Sequence, residues 1–349
     1  MPDSLRRFAR RAIANMLYYS GVLWLLAARR LRGRAIALMY HRVLPIGADT
    51  FSDETIIVTP ATFRRHMAFL RRHFRPISVA EAAERMSRGE PLPDMSCLVT
   101  FDDGWRDNFE HALPILRESG VPATVFAAVN YIGSKTCFWQ ERLNRMLFRA
   151  VRQGGAARKL AERHVGAGAE DCDDPDLRRR ARASVSRMKK TCSDAQIAEF
   201  ESELAQALAP DDGTLSWGDD SFMSWEQLVA LTRDSPVSAA AHGCSHRPLT
   251  TLSPKELDTE LADSRRRLGE ALGADIDAIA YPNGNYDDGV IESSRAHGFR
   301  IGFTTDKGVV SPGDDPLRLR RINIHESATA TAPEFLCAML QIFHRLRRS

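Results

Sequence analysis

Residues 97–104 read Cys-Leu-Val-Thr-Phe-Asp-Asp-Gly, and this stretch decides the expected fold. A short apolar run ends in two adjacent carboxylates, Asp102 and Asp103, followed by a glycine. Residues 105–120 then carry apolar side chains at helical spacing. The carboxylates therefore lie where a buried strand gives way to a helix, the end at which α/β folds build active sites. Because Asp-Gly pairs also form plain turns, the rest of the chain must decide between the two interpretations.

Length and composition fit one large α/β domain with additions, or two domains. The chain has 349 residues, and its hydrophobic content of 44% is ordinary for a globular protein. A formal net charge of +3 is too small to indicate nucleic-acid binding. None of the six cysteines forms a C-x-x-C pair, and they are too sparse for a disulfide framework. The cysteine pattern therefore favours a reducing compartment.

An apolar run at residues 12–28 lies between two groups of arginines. Its length is at the lower limit for a membrane-spanning helix, which needs about 20 residues. Three interpretations stay open: a helix lying in the membrane interface, a spanning anchor, or a cap on the soluble domain. The flanking arginines favour the two membrane interpretations, because anionic lipids attract basic residues. We therefore expect a membrane-associated protein at the inner membrane, with the cytoplasmic face slightly favoured.

Strand and helix signals alternate from residue 35 onward. Strand candidates lie at 35–41, 76–79, 97–101, 123–129, 236–241, 278–281, 301–305 and 319–324. Helical patterns lie at 60–73, 80–88, 105–120, 253–273, 289–298 and 332–347. Repeated strand–helix units of this kind predict a parallel sheet or barrel.

Residues 134–221 interrupt this rhythm, because they contain no clear strand and hold clusters of charge. We predict a helical insertion between two strand–helix units. Its charges are expected to form a solvated face, with binding of anionic head groups as the alternative. The predicted organisation is a membrane-associating segment at 1–34, a barrel with the insertion at 35–330, and a C-terminal helix at 331–349.

Polar residues follow other predicted strands as well. The spacing of His242 and His246 lets two imidazoles face one metal if that segment is helical. The loop Tyr281-Pro282-Asn283-Gly284 marks a turn, or a substrate loop whose backbone N–H groups face the site. His41 ends the first predicted strand. A parallel barrel brings such strand ends to one face, and two histidines with a carboxylate are typical of zinc hydrolases.

Three of these stretches together resemble the polysaccharide deacetylases of carbohydrate esterase family 4, which share the NodB homology domain. They are Thr-Phe-Asp-Asp-Gly at 100–104, His-x-x-x-His at 242–246, and the loop at 281–284. The resemblance extends from about residue 35 to residue 324, without the insertion. It implies a distorted (β/α) barrel of about seven strands and a divalent metal cofactor, most often Zn²⁺.

The resemblance also implies a role for each site residue. The implied metal ligands are Asp103, His242 and His246, and the implied substrate and oxyanion residues are Tyr281, Pro282 and Asn283. Asp102 would be the general base. The stretch Leu38-Met39-Tyr40-His41 resembles the family's late Leu-x-His motif moved to the front, as in a circularly rearranged branch that acts on poly-N-acetylglucosamine. His41 would then be the general acid, with His325 as its rival.

The chain departs from the family pattern at two motifs. The arginine usual in the third motif is absent, because Ala278, Ile279 and Ala280 precede the loop. The fourth motif is not recognisable. Arg320 or Arg321 is the candidate for the missing cation beside Asp102, and the sequence leaves this choice open.

These residues lead to one main hypothesis: a metal-dependent hydrolase that removes N-acetyl groups from an amino sugar in a polysaccharide or glycan. A second hypothesis keeps the chemistry but places it on a lipid-linked amino sugar, N-acetylated or N-formylated, at the membrane. A third, from another class, is a non-catalytic glycan-binding barrel. The intact residues Asp102, Asp103, His242 and His246 argue against the third. No nucleic-acid partner is expected.

Overall fold

The computed structural model describes residues 3–209 and 218–345, so 210–217 of the predicted insertion and 346–349 of the C-terminal segment lie outside it. Its strands are β1 (Ala35–Tyr40), β2 (Arg42–Val43), β3 (Ile57–Val58), β4 (Arg75–Pro76), β5 (Ser96–Phe101), β6 (Ala123–Ala127), β7 (Val237–Ala241), β8 (Ala278–Ala280), β9 (Ile301–Phe303) and β10 (Ile322–Asn323). Its helices are α1 (Asp3–Tyr19), α2 (Val22–Arg30), α3 (Pro60–His73), α4 (Val79–Ser87), α5 (Leu113–Ser119), α6 (Trp139–Gln153), α7 (Gly155–Val165), α8 (Asp174–Thr191), α9 (Asp194–Ala207), α10 (Trp225–Thr232), α11 (Pro254–Leu272), α12 (Asp288–Ala296), α13 (Glu326–Thr329), α14 (Ala332–Met339) and α15 (Ile342–Arg345).

Seven strands form one continuous parallel sheet in the order β10-β1-β5-β6-β7-β8-β9. Strand β4 adds to β5, and β2 and β3 form a separate parallel pair. A parallel bridge between Phe303 of β9 and Leu319, just ahead of β10, brings the two edges of the sheet toward each other. The sheet is therefore curled into a half-barrel, which confirms the predicted distorted (β/α) barrel of about seven strands.

The central strands are buried on both faces. All residues of β1 and β5 are buried, which is why both read as nearly unbroken apolar runs. Side chains on the inner face, such as Leu98, Phe126 and Phe303, pack inside the curl. Those on the outer face, such as Leu38 and Val99, pack under the helices. With both faces largely apolar, the carboxylates and imidazoles of the candidate site follow the strand ends.

Several predicted bounds differ from the structure, and two of the differences have a clear local reason. The strand predicted at 76–79 is only β4, because the Ser78 side chain accepts a hydrogen bond from the Glu81 N–H and starts α4. The C-terminal helix predicted as continuous is divided into α14 and α15 at Gln341, whose φ of 55° is left-handed. The helix that follows Asp102 and Asp103 also contains a π-helical turn at Asn108–Ala112.

The apolar run at residues 12–28 falls in two helices, α1 and α2. They are separated at Gly21, whose left-handed φ of 81° interrupts the helical backbone. Ala14, Leu23 and Ala27 are buried in the core that covers the outer face of the sheet. Within residues 3–209 and 218–345, no helix is both long and apolar enough to cross a bilayer.

The predicted insertion forms most of a second compact unit, made of residues 47–53 and 135–221. Helices α6 to α9 surround a core of their own, in which Leu143, Leu147 and Leu177 are buried. Arg145 and Arg178 both bind the Asp49 carboxylate, at 3.1 and 2.8 Å. Part of the charge expected on a solvated face is therefore used inside this unit.

Candidate active site

The polar residues singled out in the sequence lie at one edge of the sheet. His41 follows β1, Asp102 and Asp103 follow β5, and His242 follows β7. The ladder of backbone hydrogen bonds extends one residue past these strands, from the Asp102 N–H to the Tyr40 carbonyl and from the His242 N–H to the Ala127 carbonyl. Because all the strands are parallel, their carboxyl ends share this edge.

The backbone after β5 turns sharply between the two carboxylates. Asp103 and Gly104 have left-handed φ angles of 81° and 86°. A non-glycine residue in this region costs about 1–2 kcal/mol, so the rest of the fold must hold Asp103 there. At Gly104 a Cβ atom would lie 2.8 Å from Cδ1 of Ile132, and the left-handed backbone would strain any other residue at this position. The Asp-Gly turn and the site are therefore one structure, and the turn directs the two carboxylates to different partners.

Asp103 meets the two histidines of the His-x-x-x-His stretch. Its Oδ1 atom lies 3.2 Å from Nε2 of His246 and 3.4 Å from Nε2 of His242. Within the described part of the chain, this buried oxygen makes no hydrogen bond. Each of the three residues offers one atom that could bind a metal, and these three atoms lie within 4.8 Å of one another. Two imidazoles and a carboxylate are a set that Zn²⁺ takes in proteins, so these residues fit a divalent metal.

The stretch that carries the two histidines is a loop, not the helical turn considered from the spacing. Gly243 and His246 have left-handed φ angles of 67° and 58°, which bend the loop so that both imidazoles face Asp103. Nδ1 of His242 lies 2.7 Å from the Ala280 carbonyl, and this contact favours a proton on Nδ1. Nε2 of His242 is then left as the metal-facing atom.

Trp105 was not anticipated from the sequence. Its Nε1–H donates to Oδ2 of Asp103 at 2.8 Å, which turns Oδ1 toward the histidines. The indole lies between the Arg42 guanidinium, 4.0 Å from the ring centroid, and the Phe222 ring at 4.3 Å. The only sequence signal was a tryptophan two residues after a carboxylate, and that spacing alone does not indicate a contact.

Asp102 pairs with Arg321. The guanidinium donates to both carboxylate oxygens, at 2.6 and 2.7 Å, and both side chains are buried. The neighbouring Arg320 instead lies 3.8 Å from the Asp314 carboxylate. Arg321 is therefore the cation beside Asp102, which resolves the choice that the sequence left open.

The surroundings of the two carboxylates shift their pKa values in the same direction. Burial raises the pKa of Asp102, but the charge and hydrogen bonds of Arg321, together with the nearby imidazoles of His242 and His41, outweigh burial and hold the pKa below its usual value. Burial also raises the pKa of Asp103, and the contacts with His242 and His246 bring it well below the usual value. Both carboxylates are ionised at neutral pH, and this favours a cation between Asp103 and the imidazoles.

His41 lies beside the same groups. Burial lowers its pKa, while the charges of Asp103 and Asp102 act in the opposite direction without fully offsetting burial. Its Nδ1 is buried and makes no hydrogen bond to any described residue. The rival histidine, His325, follows β10 and hydrogen-bonds through Nδ1 to the Ser327 hydroxyl at 2.9 Å.

The expected oxyanion role of Tyr281 needs correction. Its backbone N–H donates to the Phe303 carbonyl as part of the sheet, and its phenol donates to the Leu317 carbonyl at 2.9 Å. The side chain is fully buried. Pro282 has no N–H, and Asn283 has a left-handed φ of 56°. Tyr281 therefore serves the packing of the barrel, because both of its donors are already used there.

Comparison with known proteins agrees with this geometry. The family model described as polysaccharide deacetylase matches residues 89–170 and 213–302, which include both carboxylates, both histidines and the loop at 281–284. The chain belongs to the polysaccharide deacetylase family. Membership of this family makes the protein a carbohydrate deacetylase, which is a hydrolase. It also confirms the resemblance seen in the sequence.

Relatives of this deacetylase match over most of its length. The Bacillus subtilis (strain 168) protein YxkH, which is named as a polysaccharide deacetylase, is 20% identical over 84% of this chain and 73% of its own. A poly-beta-1,6-N-acetyl-D-glucosamine N-deacetylase of Staphylococcus epidermidis is 22% identical over 86% of this chain and 82% of its own. The structure of the Streptococcus pyogenes deacetylase PplD in complex with acetate superposes with a TM-score of 0.57. The two sequences are 19% identical, and the match covers 88% of this chain and 98% of PplD. The likeness supports the fold.

Proposed function

We propose that the protein is a metal-dependent deacetylase that removes N-acetyl groups from amino sugars in a polysaccharide. The observation that carries this proposal is the cluster of buried Asp103, buried His242 and partly exposed His246 beside a second ionised carboxylate, Asp102. A structural carboxylate in such a core would be fully hydrogen-bonded, whereas Oδ1 of Asp103 makes no hydrogen bond to any described residue.

Each residue of the cluster has a definite task in amide hydrolysis. A divalent metal held by Asp103, His242 and His246 would supply a Lewis acid for the acetamide carbonyl. Asp102, kept ionised by Arg321, accepts a proton from the attacking water as the new C–O bond forms. His41 protonates the sugar nitrogen as the C–N bond breaks, because an amine leaves poorly without a proton. The products are acetate and a free amino sugar.

The substrate class follows from the family and from the relatives. One relative is named for N-deacetylation of poly-beta-1,6-N-acetyl-D-glucosamine, and we propose an N-acetylated polysaccharide of that kind here. The second candidate is a lipid-linked amino sugar, N-acetylated or N-formylated. The exposed apolar residues described below favour it, because they would hold the enzyme where such a substrate is found.

The test is release of acetate or formate from polymeric and lipid-linked substrates by zinc-loaded protein. We expect acetate from the polymer, and release from none of the substrates would contradict the proposed activity. His41→Ala should reduce turnover about 10²- to 10⁴-fold while the metal stays bound, because a positioned acid is lost. His325→Ala is the matched control and should change turnover little. The reverse result would assign the acid role to His325.

We also propose that α1 and α2 hold the protein on an anionic membrane surface. Most of the exposed large apolar side chains in the described part of the chain lie between residues 8 and 25: Phe8, Ile13, Met16, Tyr19, Val22 and Leu25. We call these six residues the apolar stripe. Tyr19 is 80% exposed and Phe8 71%, although their helix packs Ala14 into the core on its other side. Such a stripe is typical of helices that lie in the membrane interface.

Charge indicates the kind of surface that would cover the apolar stripe. Residues 4–34 contain eight arginines and no acidic residue. Each basic residue near an anionic lipid surface adds about 1 kcal/mol to binding. An anionic bilayer therefore complements both the stripe and its flanks. The side of the membrane stays a prediction, and the six free cysteines are compatible with the cytoplasmic face.

Sedimentation with lipid vesicles tests this proposal. The protein should pellet at low salt with phosphatidylcholine vesicles that contain phosphatidylglycerol, and less with phosphatidylcholine alone. Met16→Glu combined with Leu25→Glu should abolish pelleting. Ile46→Glu is the control, because Ile46 is 93% exposed but lies outside the apolar stripe. Wild-type protein that stays in the supernatant, or that hides the stripe in a dimer, would overturn the proposal.

A further inference from the structure

Helix α11 contacts the loop that carries the two histidines. The Glu260 carboxylate accepts hydrogen bonds from the backbone N–H groups of Cys244, at 2.5 Å, and Ser245, at 3.0 Å. Both amides lie between His242 and His246. Glu260 is 16 residues from Cys244 in sequence, so this contact is part of the tertiary fold.

The other polar atoms of the same loop are also held. The carbonyls of Gly243 and Cys244 accept hydrogen bonds from the N–H groups of Val129 and Asn130, at 3.2 and 3.0 Å. Arg267, two turns beyond Glu260 on α11, donates to the Asn130 side chain and to the Val129 carbonyl. The loop is therefore fixed on one side by residues 129–130 and on the other by Glu260.

The Glu260 carboxylate lies close to the backbone of the histidine loop. A Cβ atom at position 243 would lie 3.0 Å from Oε2 of Glu260, so glycine lets the carboxylate approach the loop. His246 then takes a left-handed φ of 58°, which is unfavourable for an isolated residue. Hydrogen bonds from two consecutive amides to one carboxylate are charge-assisted and stronger than neutral ones.

We propose that Glu260 is a positioning residue for metal binding. It holds the peptide between the histidines so that the His246 imidazole stays beside Oδ1 of Asp103, and it contributes no ligand of its own. This inference rests on the proposed metal dependence. Groups that orient metal ligands without touching the metal typically change metal affinity by about 10- to 100-fold.

The experiment compares metal affinity in four proteins: wild type, Glu260→Ala, Glu260→Gln and Glu270→Ala. Zn²⁺ affinity is measured by competition with a chromogenic chelator, and the ligand field by the visible spectrum of the Co²⁺ form. Glu260→Ala should bind Zn²⁺ about 10- to 100-fold more weakly and show an altered Co²⁺ spectrum. Glu260→Gln should be intermediate, because its amide oxygen still accepts one hydrogen bond.

Glu270→Ala is the matched control. Glu270 lies on the same helix and pairs at the surface with Arg266, at 3.0 Å, so its removal should leave metal affinity unchanged. All measurements are made below the melting temperature of each metal-free variant. A Glu260→Ala protein with wild-type affinity and Co²⁺ spectrum would overturn the inference, even if its melting temperature fell. Wild-type protein that binds no metal would instead overturn the proposed function.

Discussion

Asp102 and Asp103 are adjacent in sequence, yet they lie in two differently charged regions of the site. On the side of β10, Asp102 faces a guanidinium that engages both of its oxygens. On the side of β7, Asp103 faces imidazoles, and Oδ1 makes no hydrogen bond to any described residue. The difference arises at the left-handed turn of Asp103, which separates the directions of the two side chains.

The comparison shows how a fold gives two buried carboxylates different chemistry. Arg321 is permanently charged, so the buried charge of Asp102 is compensated within the protein at every accessible pH. Imidazoles that serve as metal ligands are neutral, so the charge of Asp103 needs an external cation. One region can thus hold a proton acceptor in place while the other creates a cation site.

The largest effect is expected in the region of Asp103 and the two imidazoles, where the metal would bind. Asp103→Ala or His246→Ala removes a ligand, so metal content and deacetylase activity should both fall to background. Elemental analysis after dialysis measures the metal, and circular dichroism checks that the variants are folded. Full metal occupancy in either folded variant would show that the two regions do not differ in the proposed way.

Asp102→Asn tests the other region and should separate binding from turnover. The amide keeps the shape of the side chain but cannot accept a proton, so turnover should fall about 10²- to 10⁴-fold. Metal content should stay at the wild-type level, in contrast to Asp103→Ala. Near-normal turnover in the metal-loaded variant would mean that Asp102 is not the base.

Much of the candidate site could be predicted from the sequence, because its residues lie next to clear strand signals. The buried runs before His41, Asp102 and His242 indicated parallel strands, and parallel strands share an edge. That reasoning, from local patterns of apolar residues and one topological rule, led to a parallel sheet or barrel with carboxylates and imidazoles at one face. The distorted barrel and the role of each site residue came from the family resemblance.

The supporting contacts could not be predicted in the same way. Arg321 and Asp102 are 219 residues apart, and β10 has only two residues, too few for alternation to distinguish Arg320 from Arg321. Tyr281 looked like a site residue, but its backbone N–H is used in the sheet and its phenol donates to the Leu317 carbonyl. The contacts of Trp105 and Glu260 depend on how loops pack, which periodicity does not describe.

Arg321→Gln should leave the buried negative charge of Asp102 without its compensating cation. Removing the cation raises the pKa of Asp102, so the acid limb of the kcat/KM profile should move to higher pH. Activity should fall about 10-fold or more at about pH 5.5 and less at about pH 8, because the base works only when ionised. A buried carboxylate without its partner also costs about 3–5 kcal/mol of stability, so assays belong at low temperature.

Arg320→Gln is the control for Arg321→Gln, since Arg320 is half exposed and lies beside Asp314. Its pH profile should match the wild type. Adding Asp102→Asn to Arg321→Gln should recover part of the lost stability, because no buried charge is left unpaired. An unchanged acid limb in Arg321→Gln would mean that the guanidinium does not set the pKa of Asp102.

The smallest effect is expected for Trp105→Phe, which alters how Asp103 is oriented without removing a ligand or a charge. Phenylalanine keeps an aromatic ring between Arg42 and Phe222 but lacks the N–H that holds Oδ2. Oδ2 then competes with Oδ1 for the metal, so Zn²⁺ affinity should weaken by about 10-fold. Chelator competition measures this, and the pH profile set by Asp102 should stay unchanged. If Trp105→Phe moved the acid limb and left metal affinity intact, the indole would act on Asp102, and the separation of the two regions would fail.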